Sequence, residues 1–316
     1  MNESKKNWKK PALKISLSAI LLYIILSRTD LKAFASNIRL MDLRLAPLIL
    51  FLLISKYVVS ALRWKQLLIF DGAKSLSVKY LVSLYFIGAF FNNFMPTSVG
   101  GDVYKMFQLG KKLKSKSQGF SSTFMERFTG IMALVVISYY GLIRTMSFWV
   151  GVLPQGIRSN SLLVIMFKMG LFSGFWITTI VGFFSLGFLA QKISIVQKVY
   201  DALMAYKSQQ KVLLIAFLTS FIVQFFAIFT QYFILLSLGI NVPISYAIFI
   251  LPVITLAGFF VPSLNGLGVQ DALYISFLGM VGISGSLALS ASMVYHFTRL
   301  LISLIGGVLY GLGKAD

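Results

Sequence analysis

The sequence predicts an all-α integral membrane protein, a polytopic helix bundle with about six full spans and two re-entrant half-helix hairpins. Three observations support this class. Hydrophobic residues make up 58% of the 316 residues and charged residues only 12%, which is far from the composition of a soluble domain. Apolar runs recur at lengths near the ~20 residues that a helix needs to cross a bilayer. Two further apolar regions are interrupted near their middles by proline, glycine and polar residues.

Six apolar segments are each long enough to span as a helix, which satisfies every backbone polar group in lipid. They lie at 12–27, 45–68, 126–148, 162–189, 212–238 and 287–311. The amino terminus is basic and precedes an apolar run, as in a signal peptide, but no small-x-small cleavage site precedes residue 27. We therefore expect a retained first helix with a cytoplasmic amino terminus in the plasma membrane.

The charge of the chain is strongly basic, with 29 Lys and Arg against 9 Asp and Glu. Such an excess is typical either of nucleic-acid binding or of cytoplasmic loops that face an anionic leaflet. The cations cluster between apolar runs, which favours the second interpretation, and nucleic acid is not an expected partner. Disulfides and cysteine nucleophiles are excluded because the sequence contains no cysteine.

Basic residues also indicate how the two interrupted regions, 79–113 and 243–282, enter the membrane. Lysines precede the first region and follow its break over 105–116, and both groups should be cytoplasmic. A re-entrant hairpin satisfies this rule, whereas a single span violates it. The second region then enters from the opposite face. Only the predicted outside loop 28–44 is more basic than this topology favours.

The two interruptions resemble each other in sequence. FMPTSVG at 94–100 and FVPSLNG at 260–266 share Phe, Pro, a hydroxyl residue and Gly at equal spacing, and Asp102 and Asp271 follow them. Two similar broken segments that enter from opposite faces are typical of an inverted repeat, with a substrate site between them at the midplane. The turn chemistry common to Pro and Gly is an alternative explanation of the likeness.

The first break is a candidate headgroup site. Pro96, Gly100 and Gly101 favour unwinding of the helix, and Asp102 then begins a second half-helix with Lys105 on the same face. One interpretation makes Asp102 and Lys105 a stabilising pair at a helix N-terminus. The other makes the opened turn and Lys105 a receptor for an anionic headgroup.

Intramembrane charges need partners, which extends the candidate set to other helices. Asp271 requires a cation from elsewhere, and we expect Arg299 or His296. Glu126 is expected to pair with a cation of the first hairpin, whereas Arg63 either faces the interior or extends to the cytoplasmic interface. The candidate substrate-binding residues are Asn93, Pro96, Gly100, Gly101, Asp102, Lys105, Glu126, Arg127, Asn265, Gly266, Gly268, Asp271 and Arg299.

No catalytic constellation is visible in the sequence. One histidine and no cysteine leave no nucleophile triad with a spare base and no histidine-rich metal site. Neither a P-loop nor a dinucleotide fingerprint is present. We therefore expect no catalytic residue, metal or cofactor.

The interrupted regions carry a family resemblance. FFNNFMPTSVGGDVYKMFQL at 90–109 resembles the signature of the lysylphosphatidylglycerol synthase transmembrane-region family, the flippase-like membrane domain found also in the multiple peptide resistance factor. Three other blocks are similar in the same order: ALRWKQLL at 61–68, MERFTGIMAL at 125–134 and PSLNGLGVQDALYISFLGMVGIS at 262–284. The resemblance implies a single flippase-like domain over 1–316, with paired re-entrant hairpins and movement of lipid between leaflets.

Two departures from the family pattern affect this expectation. The sequence ends at Asp316 without the aminoacyl-transferase domain that synthase members carry after the membrane region, so lipid aminoacylation is not expected of it. Lys105 stands where relatives tend to have arginine, which keeps the charge but loses a bidentate contact with phosphate.

The leading hypothesis is a lipid translocase, flippase or scramblase-like, for an anionic or aminoacylated phospholipid or a polyprenyl-phosphate lipid. The expected partner is a membrane lipid headgroup. Two alternatives remain: a membrane-embedded enzyme acting on polyprenyl-phosphate sugars, and a non-transporting partner of a separate transferase or synthase. The sequence is compatible with an oligomer.

Overall fold

The computed structural model of the chain describes residues 31–70, 72–94, 100–166, 168–170, 173, 194–261, 263 and 265–313. Every regular element assigned in these ranges is a helix, which confirms the predicted all-α class. The α-helices named below are α1 Leu31–Arg39, α2 Ala46–Gln66, α3 Val78–Phe94, α4 Gly100–Lys112, α5 Lys116–Arg144, α6 Met146–Val152, α7 Gln155–Arg158, α8 Ser194–Met204, α9 Gln210–Ser237, α10 Ile244–Phe260, α11 Val269–Gly279 and α12 Gly285–Gly311. Residues 161–166 and 168–170 are also helical.

Four helices of the described part of the chain are long and apolar enough to cross a membrane. They are Leu43–Gln66, Lys116–Arg144, Gln210–Ser237 and Gly285–Gly311. Each overlaps one of the predicted full spans. The predicted span 12–27 lies outside the described residues, and most of the predicted span 162–189 does too.

The segment after the first predicted span contains a helix where the sequence indicated a loop. Residues 31–39 form α1, which packs against α12. The Asn37 side-chain amide donates a hydrogen bond to the Ser290 hydroxyl at 3.3 Å. Arg39 lies in the last turn of α1, where a cation interacts favourably with the helix dipole. Helix termini therefore account for part of the positive charge in this segment.

Helices α2–α5 and α9–α12 repeat one order of elements. Each group contains a long helix, a helix of 17 residues, a shorter helix and a second long helix. The packing partners repeat as well: α2 packs along α9, α3 packs along α12, and α10 packs along α5. Within each group the shorter helix packs on the long helix that follows it. Equivalent contacts therefore join the two halves of the bundle.

Two glycines permit the close crossings between the halves. Gly141 of α5 lies against the backbone of α10 at Phe249, and Gly306 of α12 lies against the backbone of α3 at Phe86. A Cβ atom at Gly141 would be only 2.7 Å from backbone atoms of Phe249, and one at Gly306 would overlap the Phe86 carbonyl. Small residues at such crossings let helix backbones approach closely. The same device therefore operates at corresponding places in both halves.

Apolar side chains fill the interior and also cover the outer faces of the long helices. One buried cluster surrounds Ile250 where α9 to α12 meet, and another surrounds Trp64 between α2, α3 and α4. Large apolar side chains are exposed on the outside, including Leu214, Leu218, Phe225, Leu304 and Val308. Exposed apolar surface on this scale is typical of a surface that contacts lipid.

Candidate functional site

A cavity of about 180 Å³ lies inside the bundle and is lined by residues of both halves. One water molecule needs roughly 10–15 Å³ by a comparable measure, so the space admits a polar group of several atoms. The charged side chains that line it are Lys56, Arg63, Asp102, Lys105, Glu126, Arg127 and Arg299. Charges at membrane depth are costly unless they are paired or face a polar cavity, so this cluster is the candidate functional site.

Asp102 is held by two cations at the start of α4. The Lys105 ammonium lies 2.9 Å from Asp102 Oδ1, one turn further along the same helix. Arg127 Nε donates to Asp102 Oδ2 from α5. Asp102 follows the first break directly in sequence. Because α4 packs on α5, its carboxylate lies next to Arg127 of α5. The predicted Asp102 and Lys105 pair is therefore one part of a larger cluster.

Glu126 joins α2, α4 and α5 by accepting hydrogen bonds from two cations. Arg63 Nη2 donates to Glu126 Oε1, and Lys105 Nζ donates to Glu126 Oε2 at 3.3 Å. Arg63 Nη1 also donates to the Ser220 hydroxyl of α9 at 2.8 Å. The Arg63 and Glu126 side chains are only 4% and 6% exposed. Arg63 therefore faces the interior, so the alternative that it extends to the interface is wrong.

Aromatic rings complete the surroundings of Lys105. Its ammonium lies 4.1 Å from the centre of the Tyr85 ring and 5.2 Å from that of Trp64. Aromatic faces attract a cation through the ring quadrupole, and the attraction is stronger where water is excluded. Two carboxylates and two rings thus fix the position of a single buried ammonium group.

Small residues bring α4 close to α3 at the first break. A Cβ atom at Gly101 would overlap the backbone of Gly88. The backbone N–H of Gly101 donates to Asn92 Oδ1 at 2.7 Å, which satisfies one of the free amides in the first turn of α4. Gly100 is the first residue of α4 and is buried, but it does not line the cavity. Pro96 lies outside the described residues.

Described residues beside the two breaks meet inside the bundle. The Asn265 side-chain amide, in the turn after α10, donates to Asn93 Oδ1 at the end of α3 over 2.7 Å. Asn93 also donates to the Ser303 hydroxyl at 2.6 Å. Arg299 of α12 donates to the Asn265 side-chain oxygen and to its backbone carbonyl. Asn93, Asn265 and Arg299 all line the cavity, as the sequence grouped them.

Asp271 stabilises the second turn and does not line the cavity. It is fully buried and accepts hydrogen bonds from the Gly268 backbone at 2.7 Å and from the Ser292 hydroxyl. His296 Nε2 lies 3.2 Å from Asp271 Oδ1, so the structure selects His296 of the two partners expected. Gly266 and Gly268 have φ of 92° and 83°, which glycine adopts without steric cost, and neither of them lines the cavity.

Several lining residues were missed as site residues in the sequence. Lys56 and Gln224 both line the cavity, and Gln224 donates to the Gly130 carbonyl at 3.0 Å. Their signal in the sequence is a lone polar side chain within a run of apolar ones, as in SFIVQFFAIF at 220–229. Tyr85 carries no such signal, because tyrosine is frequent throughout this chain.

In the described ranges, no group of three or more His, Cys, Asp or Glu residues could hold a metal ion.

The fold and the cavity define a multi-pass α-helical membrane protein with a buried charged site. The family model for the lysylphosphatidylglycerol synthase TM region matches residues 12–307. Because the match spans most of the sequence, the chain belongs to this family, and the resemblance drawn from the motifs is confirmed. No curated protein and no solved structure is significantly similar to the chain.

Proposed function

We propose that the chain moves a lipid with a phosphate-bearing headgroup between the leaflets of the plasma membrane. The headgroup would occupy the charged cavity while the acyl or prenyl chains stay in the surrounding lipid. The observation that carries this proposal is a buried cationic cavity at the place where the two helix breaks meet. The family is named for the transmembrane region of a synthase of lysylphosphatidylglycerol, which is itself a lipid, and this supports a role in lipid handling.

The chemistry of the lining suits a phosphate. Guanidinium groups bind phosphate oxygens through paired N–H donors. Arg127 of α5 and Arg299 of α12 both line the cavity, one from each half of the bundle. The Arg127 side chain is 23% exposed and is the most accessible member of the ion-pair cluster. A headgroup that passes Arg127 would exchange contacts with water for contacts with fixed cations, which lowers the cost of leaving the interface.

The proposed path requires the two broken regions to be re-entrant hairpins in an inverted repeat. Helices α4 and α11 have 13 and 11 residues, and at about 1.5 Å per residue neither crosses a hydrocarbon core of about 30 Å. The equivalent packing of the two halves supports the repeat. The amino terminus and the loops at 74–79 and 111–116 would then be cytoplasmic.

Cysteine labelling tests this topology, since the chain has no native cysteine. Ser77 and Ser117 flank the first hairpin, and both are exposed. Ser159 is exposed in the segment that follows the spanning helix α5, and the proposed topology puts this segment outside. A membrane-impermeant maleimide should label Ser77→Cys and Ser117→Cys only from the cytoplasmic side and Ser159→Cys only from outside. Labelling of 77 and 117 from opposite sides would make the first region a single span.

Leaflet exchange tests the function itself. Purified protein in liposomes with fluorescent phospholipids or polyprenyl phosphates should accelerate exchange, and Asp102→Asn and Lys105→Ala should each reduce the rate at least tenfold. Arg144→Gln removes an exposed cation outside the cavity and should leave the rate unchanged. Absence of exchange for every lipid, with folded wild-type protein, would favour the enzyme or transferase-partner alternatives.

A further inference from the structure

We infer that the cavity selects lipids whose headgroup ends in a phosphate that can carry two or more negative charges, a phosphomonoester or a diphosphate. This inference rests on the proposed function, because it identifies the class of lipid that the same cavity takes. The inference predicts that phosphodiester and aminoacylated lipids are poorer ligands of the cavity. It is argued from the balance of positive and negative side chains in the lining.

The two carboxylates of the cavity are already neutralised by three cations. Lys105 contacts both Asp102 and Glu126, Arg63 pairs with Glu126, and Arg127 pairs with Asp102. This cluster alone has one positive charge more than it has negative charges. Cations that already pair with a buried carboxylate attract a ligand only weakly, so this cluster acts on a ligand mainly through its single net positive charge.

Two further cations line the cavity with no acid beside them. Among the residues described, no carboxylate lies within 4.0 Å of Lys56 or Arg299. The contacts of Arg299 are neutral: the two oxygens of Asn265 and the face of the Tyr295 ring. Within the described part of the chain, neither side chain has an acidic partner.

The lining therefore has three more cationic than acidic side chains. A phosphodiester headgroup brings one negative charge, and a lysine esterified to it adds two positive charges and reverses the sign. A phosphomonoester brings about 1.5 to 2 negative charges at pH 7 and three acceptor oxygens, enough to contact Arg299 and Lys56 together. Of these headgroups, the phosphomonoester or diphosphate matches the surplus best.

Binding at two pH values tests the inference without requiring transport. Dioctanoyl phosphatidic acid, farnesyl phosphate, dioctanoyl phosphatidylglycerol and a lysyl ester of the last would be titrated into purified full-length protein and followed by calorimetry. At pH 7.5 the phosphomonoesters should bind at least tenfold more tightly than phosphatidylglycerol. At pH 5.0 that preference should shrink several-fold, because the second phosphate pKa is about 6. Phosphatidylglycerol keeps one negative charge at both pH values. A change in its affinity between the two pH values therefore measures the effect of titrating groups of the protein.

The groups of the protein that face the ligand must be considered in that comparison. The charged groups are Lys56, Arg63, Asp102, Lys105, Glu126, Arg127 and Arg299, and the other titratable groups are Tyr57, Tyr85 and Tyr295. Arg299→Gln and Lys56→Met should each reduce the preference for a phosphomonoester at least fivefold. Lys56→Arg should retain it, which guards against a loss caused by misfolding, and Arg144→Gln should bind as wild type.

The comparison of the two phosphomonoesters identifies the lipid source. Binding of farnesyl phosphate alone indicates a polyprenyl carrier, binding of phosphatidic acid alone indicates a glycerolipid, and either result supports the inference. Equal affinity for phosphatidylglycerol and both phosphomonoesters at pH 7.5, or tightest binding of the lysyl ester, would overturn it. Because binding is measured apart from leaflet exchange, these outcomes are distinct from failure of the proposed transport.

Discussion

Asn93 at the end of α3 and Asn265 in the turn after α10 are joined by a 2.7 Å hydrogen bond, although 172 positions separate them in sequence. The bond connects the two interrupted regions at the wall of the charged cavity. Any movement that separates the two halves there must break it. The same pair therefore links the stability of the bundle to access to its interior.

Loss of the Asn93 side chain should destabilise the contact between the breaks. Asn93→Ala removes hydrogen bonds to Asn265, Ser303 and the Ala89 carbonyl, and leaves partly buried polar groups without partners. We expect a loss of about 1–3 kcal/mol in the free energy of unfolding, measured by denaturation in detergent. Ser83→Ala on the same helix, which removes a hydrogen bond from the Ser83 hydroxyl to the Lys79 carbonyl, is the matched control. Equal effects of the two substitutions would contradict a special role for the bridge.

Glu126 should be among the most sensitive positions for stability. Glu126→Gln leaves Arg63 and Lys105 buried with one carboxylate fewer, and breaking a buried ion pair typically costs about 3–5 kcal/mol. Thermal unfolding of the purified protein measures the change. Asp201→Asn removes an exposed acid and should have little effect. The double variant Arg63→Met with Glu126→Gln should lose less than the sum of the single variants, and strict additivity would argue against the pair.

The glycine crossings predict a second, steric class of destabilising substitution. Gly306→Ala places a methyl group against the Phe86 backbone, and overpacking of this kind costs about 1–3 kcal/mol. Gly141→Ala should have a similar cost at the corresponding crossing with Phe249. Gly311→Ala, near the end of α12 with open space around it, should not destabilise the bundle. A neutral Gly306→Ala in unfolding experiments would mean that α3 and α12 are further apart than described.

A buried tyrosine outside the spanning helices predicts a pH effect. The Tyr206 hydroxyl donates to the Leu67 carbonyl at 2.6 Å, and burial raises the pKa of Tyr206 above its ordinary value near 10. Its contribution to stability is therefore complete below pH 10 and is lost as the pH rises further, because the unfolded chain ionises first. Between pH 9 and pH 11, wild type should lose more unfolding free energy than Tyr206→Phe. Parallel losses in the two proteins would contradict the raised pKa.

Much of the fold follows from one-dimensional patterns. Apolar runs gave the positions of the long helices, and proline and glycine gave the breaks at 94–100 and 260–266. The charged residues near those breaks could be named because a charge within an apolar run is conspicuous. Apolar runs, breaks and isolated charges are each defined by residues that are adjacent in the chain, so they can be recognised without knowledge of the packing.

The pairing of those charges depends on packing, which the sequence leaves open. Arg63 lies near the end of α2, where it could equally have extended to the interface; its partner Glu126 lies on another helix. Asp271 could not be assigned between Arg299 and His296, because both lie on α12 about one turn apart. The role of Gly306 could not be predicted from the sequence for the same reason. A glycine is required there because α12 crosses closely over the backbone of α3.

Reversible obstruction of the cavity tests most directly whether lipid headgroups pass through it. Ala89→Cys places a thiol on the cavity wall of a chain that has no native cysteine, and Ser159→Cys places one in an exposed loop as the control. Leaflet exchange would be measured in the same proteoliposomes before treatment with a benzyl methanethiosulfonate, after it, and again after reduction. If headgroups pass through this cavity, exchange should stop when the Ala89→Cys protein is modified and return on reduction, and it should not change in Ser159→Cys. Undiminished exchange by fully modified Ala89→Cys protein would contradict passage of the headgroup through this cavity.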